Sequence, residues 1–272
     1  MTALSIVIVS FNARAHLENC LRSLSEAPPL MPHDITVVDN ASTDGSVAAV
    51  RGGWPAVRVI AQPANAGFAA ANNAGIRATG GELVLLLNND TLAPPGAIDA
   101  LTARLLDCPE AAVAGPRLVD AHGRTELSFG PMISPFNELR QKLVVRLHER
   151  GVGPVTRRVE RAARREHFVD WVSGACLLVR RAAAERAGLL DERFFLYTED
   201  VDFCATIRGQ GGRILFTPAA EIVHLRGRSR ATAPAAVNDW YRRSHLAFYA
   251  KRHPAWAPLL RAYLRLKGQL PR

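Results

Sequence analysis

LVLLLNNDT, residues 83–91, is the most apolar run of the chain, and it ends in two asparagines and an aspartate. A short apolar run without helical period suits a strand buried on both faces of a sheet. The polar turn that follows then lies at the edge where open α/β sheets bind ligands. Working outward, SIVIVS (residues 5–10), DITVVDN (34–40) and VRVI (57–60) read as further strands. Between them lie segments of helical spacing. Asn12 can cap a helix carrying Leu17, Leu21 and Leu24 that Pro28-Pro29 stops, and helices are expected over 67–77 and from about 95 to 107. This alternation defines an α/β fold with a mostly parallel central sheet flanked by helices.

Beyond residue 110 the pattern loosens. AAVAGPRLV (111–119) predicts a strand interrupted at Gly115-Pro116, and 120–166, basic and turn-rich, reads as a long insertion or partly mobile region. Order returns with a strand over 168–181 and a helix over 182–187 that Gly188 ends. The aromatic-acidic stretch FFLYTEDVDF (194–203), a short helix to Arg208 and the strand RILFTP follow.

Composition narrows the class. With 48% hydrophobic residues in 272 the chain can build a real core, and no apolar run approaches the roughly 20 residues that cross a bilayer. The opening apolar stretch is shorter than a signal-peptide core, which places the expected location in the cytoplasm. Cys20, Cys108, Cys176 and Cys204 lack metal-ligand spacing and suit reduced, buried thiols. The net charge of +9 calls for an anionic partner, and its excess is regional, dense over 140–165 and 226–272.

Several residues can carry chemistry, each with a plainer alternative. Asp39, at the end of the second strand, can accept the N3–H of uracil or thymine or a ribose hydroxyl, or it can close an Asx-turn; Asp44 tilts toward capping. Asp90 can hold Mg²⁺ or Mn²⁺ through hard oxygen, or simply end a strand. Glu199, Asp200 and Asp202 crowd one segment, where one can act as a general base or all can start a solvated helix. His224 closes the last strand beside Arg226, Arg228 and Arg230, where a metal or phosphate role competes with a structural one.

Taken in order, SIVIVSFN, VVDNASTDGS, NAGFAAANNAGI, LLLNNDT, SGACLLVRR, FFLYTEDVDFC and AEIVHLRGRS resemble the family-2 glycosyltransferases, in particular the rhamnosyltransferase-like branch. The resemblance spans residues 4–229 and implies the GT-A fold. It implies a donor site including Ser10, Asn12, Asp39, Asn65, Gly67, Asn88 and Asn89, a Mg²⁺ or Mn²⁺ ion on Asp90 and His224, and catalysis by Asp200 beside Glu199. The family's metal motif usually opens on a carboxylate where this chain has Asn88. The lost charge suggests that Arg226 and Arg228 share diphosphate stabilisation. Trp171, Phe194 and Tyr197 offer flat faces for the acceptor, or pack in the core.

The implied reaction is inverting transfer from dTDP-rhamnose or a UDP-hexose to a glycan or lipid-linked acceptor in cell-envelope synthesis. The expected organisation is a transferase domain over 1–230, with a nucleotide-sugar half (1–119) and an acceptor half (120–230), then a basic amphipathic helical tail (231–272). That tail can lie on anionic lipid at the inner face of the cytoplasmic membrane, or pack on the core or a second subunit. A dinucleotide-dependent oxidoreductase is disfavoured because SFNARAH replaces the glycine-rich turn after the first strand. A nucleotidyltransferase lacks its basic glycine-rich loop for the same reason. A non-catalytic sugar-nucleotide binder or regulatory partner stays as the alternative, and the catalytic carboxylates argue against it and against nucleic acid.

Overall fold

The computed structural model describes residues 3–225 and 234–271, apart from the side chains of residues 234–237. Strand β1 (Leu4–Ser10) is buried at every position, as a central strand covered on both faces must be. It pairs in parallel with β2 (His33–Asp39) on one edge and β4 (Leu83–Asn88) on the other, and β3 (Arg58–Ala61) adds in parallel to β2. Past β4 the direction changes. β10 (Cys176–Arg180) runs antiparallel between β4 and β6 (Ala111–Val119). β11 (Arg213–His224) runs parallel to β6 and antiparallel to β5 (Thr91–Leu92) and β8 (His167–Val169). The strand order is β3-β2-β1-β4-β10-β6-β11-β5, and β7 (Phe129–Gly130) pairs separately with β9 (Trp171–Val172).

Helices cover both faces of this sheet. On one face α1 (Arg14–Glu26) buries Leu17, Cys20, Leu21 and Leu24, one stripe at helical period, beside α4 (Ala97–Leu106). The opposite face takes α3 (Phe68–Arg77) and α8 (Glu199–Gly209). Each leucine so buried contributes roughly 1.5–3 kcal/mol. The cysteines are free thiols, and burial pushes that of Cys20 up to about 12, which leaves it inert.

Four expectations are corrected. Asn12 does not cap α1: its side chain accepts from the Thr43 amide, while Asp44 accepts from the Arg14 amide at the helix start. β6 runs unbroken through Gly115-Pro116, because the partner strand shifts register between Thr217 and Glu221, beside the residue that has no N–H to offer. The span 168–181 holds three short strands instead of one. Within 120–166 lie α5 (Pro135–Glu149), opened by a Ser134 hydroxyl cap and Pro135, and α6 (Gly153–Ala162).

The C-terminal segment forms α9 (Pro234–Arg252) and α10 (Ala257–Leu266). Of the alternatives for this tail, α9 takes packing on the core. Phe248 and Tyr249 are buried, the Ser244 hydroxyl donates to the Leu196 carbonyl, and Lys251 and Arg252 both reach the buried Asp202.

Candidate active site

The parallel strands bring their C-terminal ends to one rim. Ser10 and Asp39 are register partners at the ends of β1 and β2, and Val9 stands opposite Asn88. The Asn89 amide donates to the Ser10 hydroxyl at 3.1 Å, tying the turn after β4 to the end of β1. Asp39 is 2% exposed. Its Oδ2 accepts from the Ser42 amide at 2.8 Å, whereas Oδ1 is buried with no partner within the protein. A buried carboxylate oxygen left open costs free energy until a ligand donor fills it.

Next to Asp39, Asn40 clamps the following loop through Ala66 and Gly67, and Asn65 accepts from the Gly67 amide. Gly67 has φ of +88°, and a Cβ there would meet the Phe195 carbonyl oxygen at 2.6 Å. That close approach is used: the Phe68 amide donates to the same oxygen at 2.7 Å, joining the loop before α3 to the segment before α8. Gly67→Ala is therefore expected to destabilise the fold by about 1–3 kcal/mol, read as a lower melting temperature. An unchanged melting temperature would show that the two loops separate freely.

The reversed strand β10 starts at the same rim, and the residues just before it hold Asp200 of α8 there. Because it is antiparallel to β4 it begins where β4 ends, with Cys176 opposite Leu87 and the Asn88 amide donating to the Ala175 carbonyl. One residue earlier, the Gly174 amide donates to Asp200 Oδ2 at 2.8 Å, and Asp200 Oδ1 accepts from the Val201 amide. A side chain at Gly174 would press on Asp200, its Cβ lying 3.2 Å from that of the aspartate. Tyr197 and Thr198 turn the chain into α8 with φ of +69° and +66°, a strained pair for non-glycine residues. Burial raises the Asp200 carboxyl above the ordinary value, with the backbone hydrogen bonds opposing it. Glu199, buried beside it, is pushed up further by burial and by the Asp200 charge, which holds it toward the neutral form.

Asp90 and His224 meet across the short β5–β11 ladder, where Thr91 opposes His224 and the Leu225 amide donates to the Asp90 carbonyl. His224 Nε2 lies 3.3 Å from Asp90 Oδ1, and Nδ1 lies 3.0 Å from Glu126 Oε2. Burial works to lower the imidazole, but the two carboxylates overcome it and raise His224 to about 9. Burial likewise works to raise Asp90, and the contact with His224 brings it below its usual value. Asp90 Oδ1 is buried and makes no well-formed hydrogen bond, and the His224 Nε2 that faces it carries a proton at neutral pH which a bound cation would displace. Among the described residues no three His, Cys, Asp or Glu side chains cluster as a ready metal cage. Two protein ligands with the remaining positions left to phosphate oxygens and water fit a hard divalent ion such as Mg²⁺ or Mn²⁺.

Not every expected residue joins this rim. Trp171 is corrected: it is 8% exposed, part of the core, and its Nε1 donates to the Pro131 carbonyl, so it offers no open face. Phe194 is core as well. Tyr197 is half-buried, edge-on to Tyr241 at 5.9 Å. Asp202, crowded with Glu199 and Asp200 in sequence, points instead to Lys251 and Arg252 and anchors α9. Arg226, Arg228 and Arg230 lie outside the described residues. Glu126 was missed. It follows β6 in a stretch without periodicity, and no local pattern marks a lone acid there.

A mostly parallel sheet of this order, flanked by helices on both faces, is that of the GT-A fold. The sequence family described as "Glycosyltransferase like family 2" matches residues 2–257, and the chain belongs to it. It is 34% identical to the N-acetylglucosaminyl-diphospho-decaprenol L-rhamnosyltransferase of Mycobacterium tuberculosis, over 98% of this chain and 92% of that protein. The O-antigen biosynthesis protein RfbC of Myxococcus xanthus is 27% identical over 86% of this chain, which spans 18% of that relative. Among solved structures, the mannosyltransferase PcManGT of Pyrobaculum calidifontis, in complex with GDP-Man and Mn²⁺, superposes with a TM-score of 0.62 at 20% identity, covering 96% of this chain and 68% of that one. GalNAc-T7 with UDP, GalNAc and Mn²⁺ gives 0.64 at 15% identity, covering 90% of this chain and 48% of that one.

Proposed function

We propose that this glycosyltransferase moves a rhamnosyl group, with inversion, from a nucleoside diphosphate donor to a hydroxyl of a polyprenyl-linked N-acetylglucosaminyl diphosphate. The observation that carries the chemistry is Asp200: a carboxylate with a raised pKa, fixed by two backbone amides at the start of α8, on the rim that also holds Asp39 and Asp90. The transferred sugar and the acceptor are those in the name of the mycobacterial relative that this chain matches over nearly its whole length.

In this reading the open Oδ1 of Asp39 accepts the base N3–H or a ribose hydroxyl. Asn65 and Gly67 shape the pocket wall, and Ser10, Asn12, Asn88 and Asn89 line the path to the diphosphate. An acceptor hydroxyl lone pair attacks the anomeric carbon from the face opposite the diphosphate. As that C–O bond forms, the bond to the diphosphate oxygen breaks, and the hydroxyl proton passes to an Asp200 oxygen. One displacement inverts the configuration. Asp90 and His224 would hold a divalent cation, which when bound neutralises charge on the leaving diphosphate.

Glu126 fixes the imidazole in that arrangement, since a carboxylate accepting from Nδ1 leaves Nε2 directed at Asp90. Glu126→Ala is expected to weaken Mn²⁺ binding roughly 10- to 100-fold, measured as the Mn²⁺ concentration needed to raise the melting temperature. Equal titration curves for variant and parent would remove Glu126 from this role.

The reaction is tested with purified protein, dTDP-rhamnose or UDP-hexoses, Mn²⁺ or Mg²⁺ and a short-chain polyprenyl diphosphate carrying N-acetylglucosamine. A mass gain of one deoxyhexose is expected, with a one-bond C1–H1 coupling that assigns the product the anomeric configuration opposite to that of the donor. Transfer from UDP-hexoses alone would overturn the donor assignment, and retained configuration would overturn the mechanism.

A further inference from the structure

Two helices in the basic part of the chain turn apolar stripes outward. On α5, Phe136, Leu139 and Leu143 follow helical spacing and are all exposed, Leu143 least at 55%. Around α10, Leu259, Tyr263 and Leu266 do the same, reaching 88% at Leu266. The stripes adjoin. The ring of Phe136 meets Trp256, just ahead of α10, edge to face at 6.3 Å, and Lys142 lies within electrostatic reach of Tyr263. Single exposed leucines are ordinary, but an apolar surface shared by two helices marks an interface.

The charge around it has one sign. Residues 253–271 hold Arg261, Arg265 and Lys267 and no Asp or Glu. Helix α5 adds Arg140, Lys142 and Arg146, all exposed. Of its acids, Glu138 faces inward through Oε2, which accepts from Tyr249 and lies 2.8 Å from His245, while its Oε1 pairs with Lys142. The net positive charge of this face therefore rests on Arg140 and Arg146 of α5 and on Arg261, Arg265 and Lys267. Glu149 stands at the far end of α5. An apolar centre containing Trp and Tyr with a rim of Arg and Lys is the composition of helices that lie in the headgroup region of anionic lipid. Among the described residues no helix is long and apolar enough to cross a membrane, so the contact is with the surface layer.

We propose that α5 and α10 together form a docking surface for a bilayer bearing anionic phospholipid headgroups. The surface is joined by packing to the active site. Behind α5, His245 of α9 contacts Glu138 and stacks on Tyr241 at 5.6 Å, and Tyr241 touches Tyr197, two residues before Glu199. These contacts connect the surface to the turn that leads into Glu199 and Asp200 at the start of α8. The inference stands on the surface itself and goes beyond the transfer reaction proposed above.

The test is flotation of the full chain with vesicles of phosphatidylglycerol and phosphatidylethanolamine, and with phosphatidylcholine alone, neither containing donor or acceptor. The parent is expected to float with the anionic vesicles and to be released by salt. Leu139→Glu with Leu259→Glu should stay in the bottom fraction, and Arg261→Gln with Arg265→Gln should bind roughly fivefold more weakly per residue. Leu30→Glu, at an exposed site in the loop before β2, should float like the parent. Melting temperatures matching the parent's verify that the variants fold. The proposal is overturned if the parent ignores anionic vesicles or if the Leu139/Leu259 variant floats equally well. It is also overturned if sedimentation velocity shows a lipid-indifferent parent dimer that those substitutions dissociate, since the surface then seats a second copy. Failure of the sugar-transfer assay leaves each of these outcomes readable.

Discussion

Replacing Asp200 with asparagine is expected to lower the turnover number by about 10²- to 10⁴-fold while leaving donor binding close to that of the parent. Asparagine has nearly the same shape, and its amide oxygen can still accept from the Gly174 amide. Its NH2 then faces the Val201 amide, so the start of α8 gives up one of its two side-chain hydrogen bonds and a small drop in melting temperature is expected. What disappears is the basicity of the carboxylate, which the proposed transfer needs in order to take up the acceptor proton. Kinetics of the purified variant, with nucleotide binding measured by calorimetry, separate the two effects. A variant that turns over at the parental rate would end the assignment of Asp200 as the base.

The pH profile gives a second reading of the same residue. Burial raises the Asp200 carboxyl above 3.8, with the backbone donors opposing the shift. The protonated form cannot act as a base, so kcat/KM of the parent should fall as pH drops through that raised value. The acid limb should therefore lie above the range of an exposed aspartate, and the residual activity of Asp200→Asn should lack it. The raised pKa also has a stability sign. Folding binds protons here that the unfolded chain has released, so this contribution is full below 3.8 and is lost as pH rises through the folded-state value. The site thus gives up stability at neutral pH to keep a poised base.

The buried strands could be read from sequence because their pattern is imposed by the exclusion of water from both faces of the sheet. The central residues of β1 (Ile6–Val9) and β4 (Leu83–Leu87) are all apolar because helices cover both sides, and a turn of Asn and Asp after β4 could only lie at the rim. The order reversal at β10 was not readable. Its apolar run looks like any central strand, and only the ladder shows that it runs against β4 and so brings Gly174 beside Asp200. Helix α5 was invisible for the opposite reason: it buries no residue fully, so its apolar stripe does not mark a core-facing side. Trp171 and Tyr197 looked alike in composition, yet one fills the core under β9 and the other turns the chain into α8. Glu126 becomes meaningful only once β11 delivers His224 to it, a contact between residues 98 positions apart.

Asp90→Asn should be nearly as damaging as the loss of the base, with kcat/KM reduced by about 10³-fold. The backbone of residue 90 is held by the Leu225 amide across the β5–β11 ladder, which the substitution does not touch, so the fold should persist. The charge does not. Asn88 and Asn89 are already neutral, so no neighbouring carboxylate in the turn can substitute for Asp90, and His224 keeps only its contact with Glu126. At 1.36 kcal/mol per tenfold, about 10³ corresponds to about 4 kcal/mol, the scale expected for removing a charged anchor from the leaving-group side. Two measurements distinguish this from a general loss of structure. The variant should melt near the parent without metal, and Mn²⁺ should no longer raise its melting temperature in the presence of nucleoside diphosphate. Parental stabilisation by Mn²⁺ would move the cation site elsewhere and leave the Asp90–His224 contact as a structural clasp between β5 and β11.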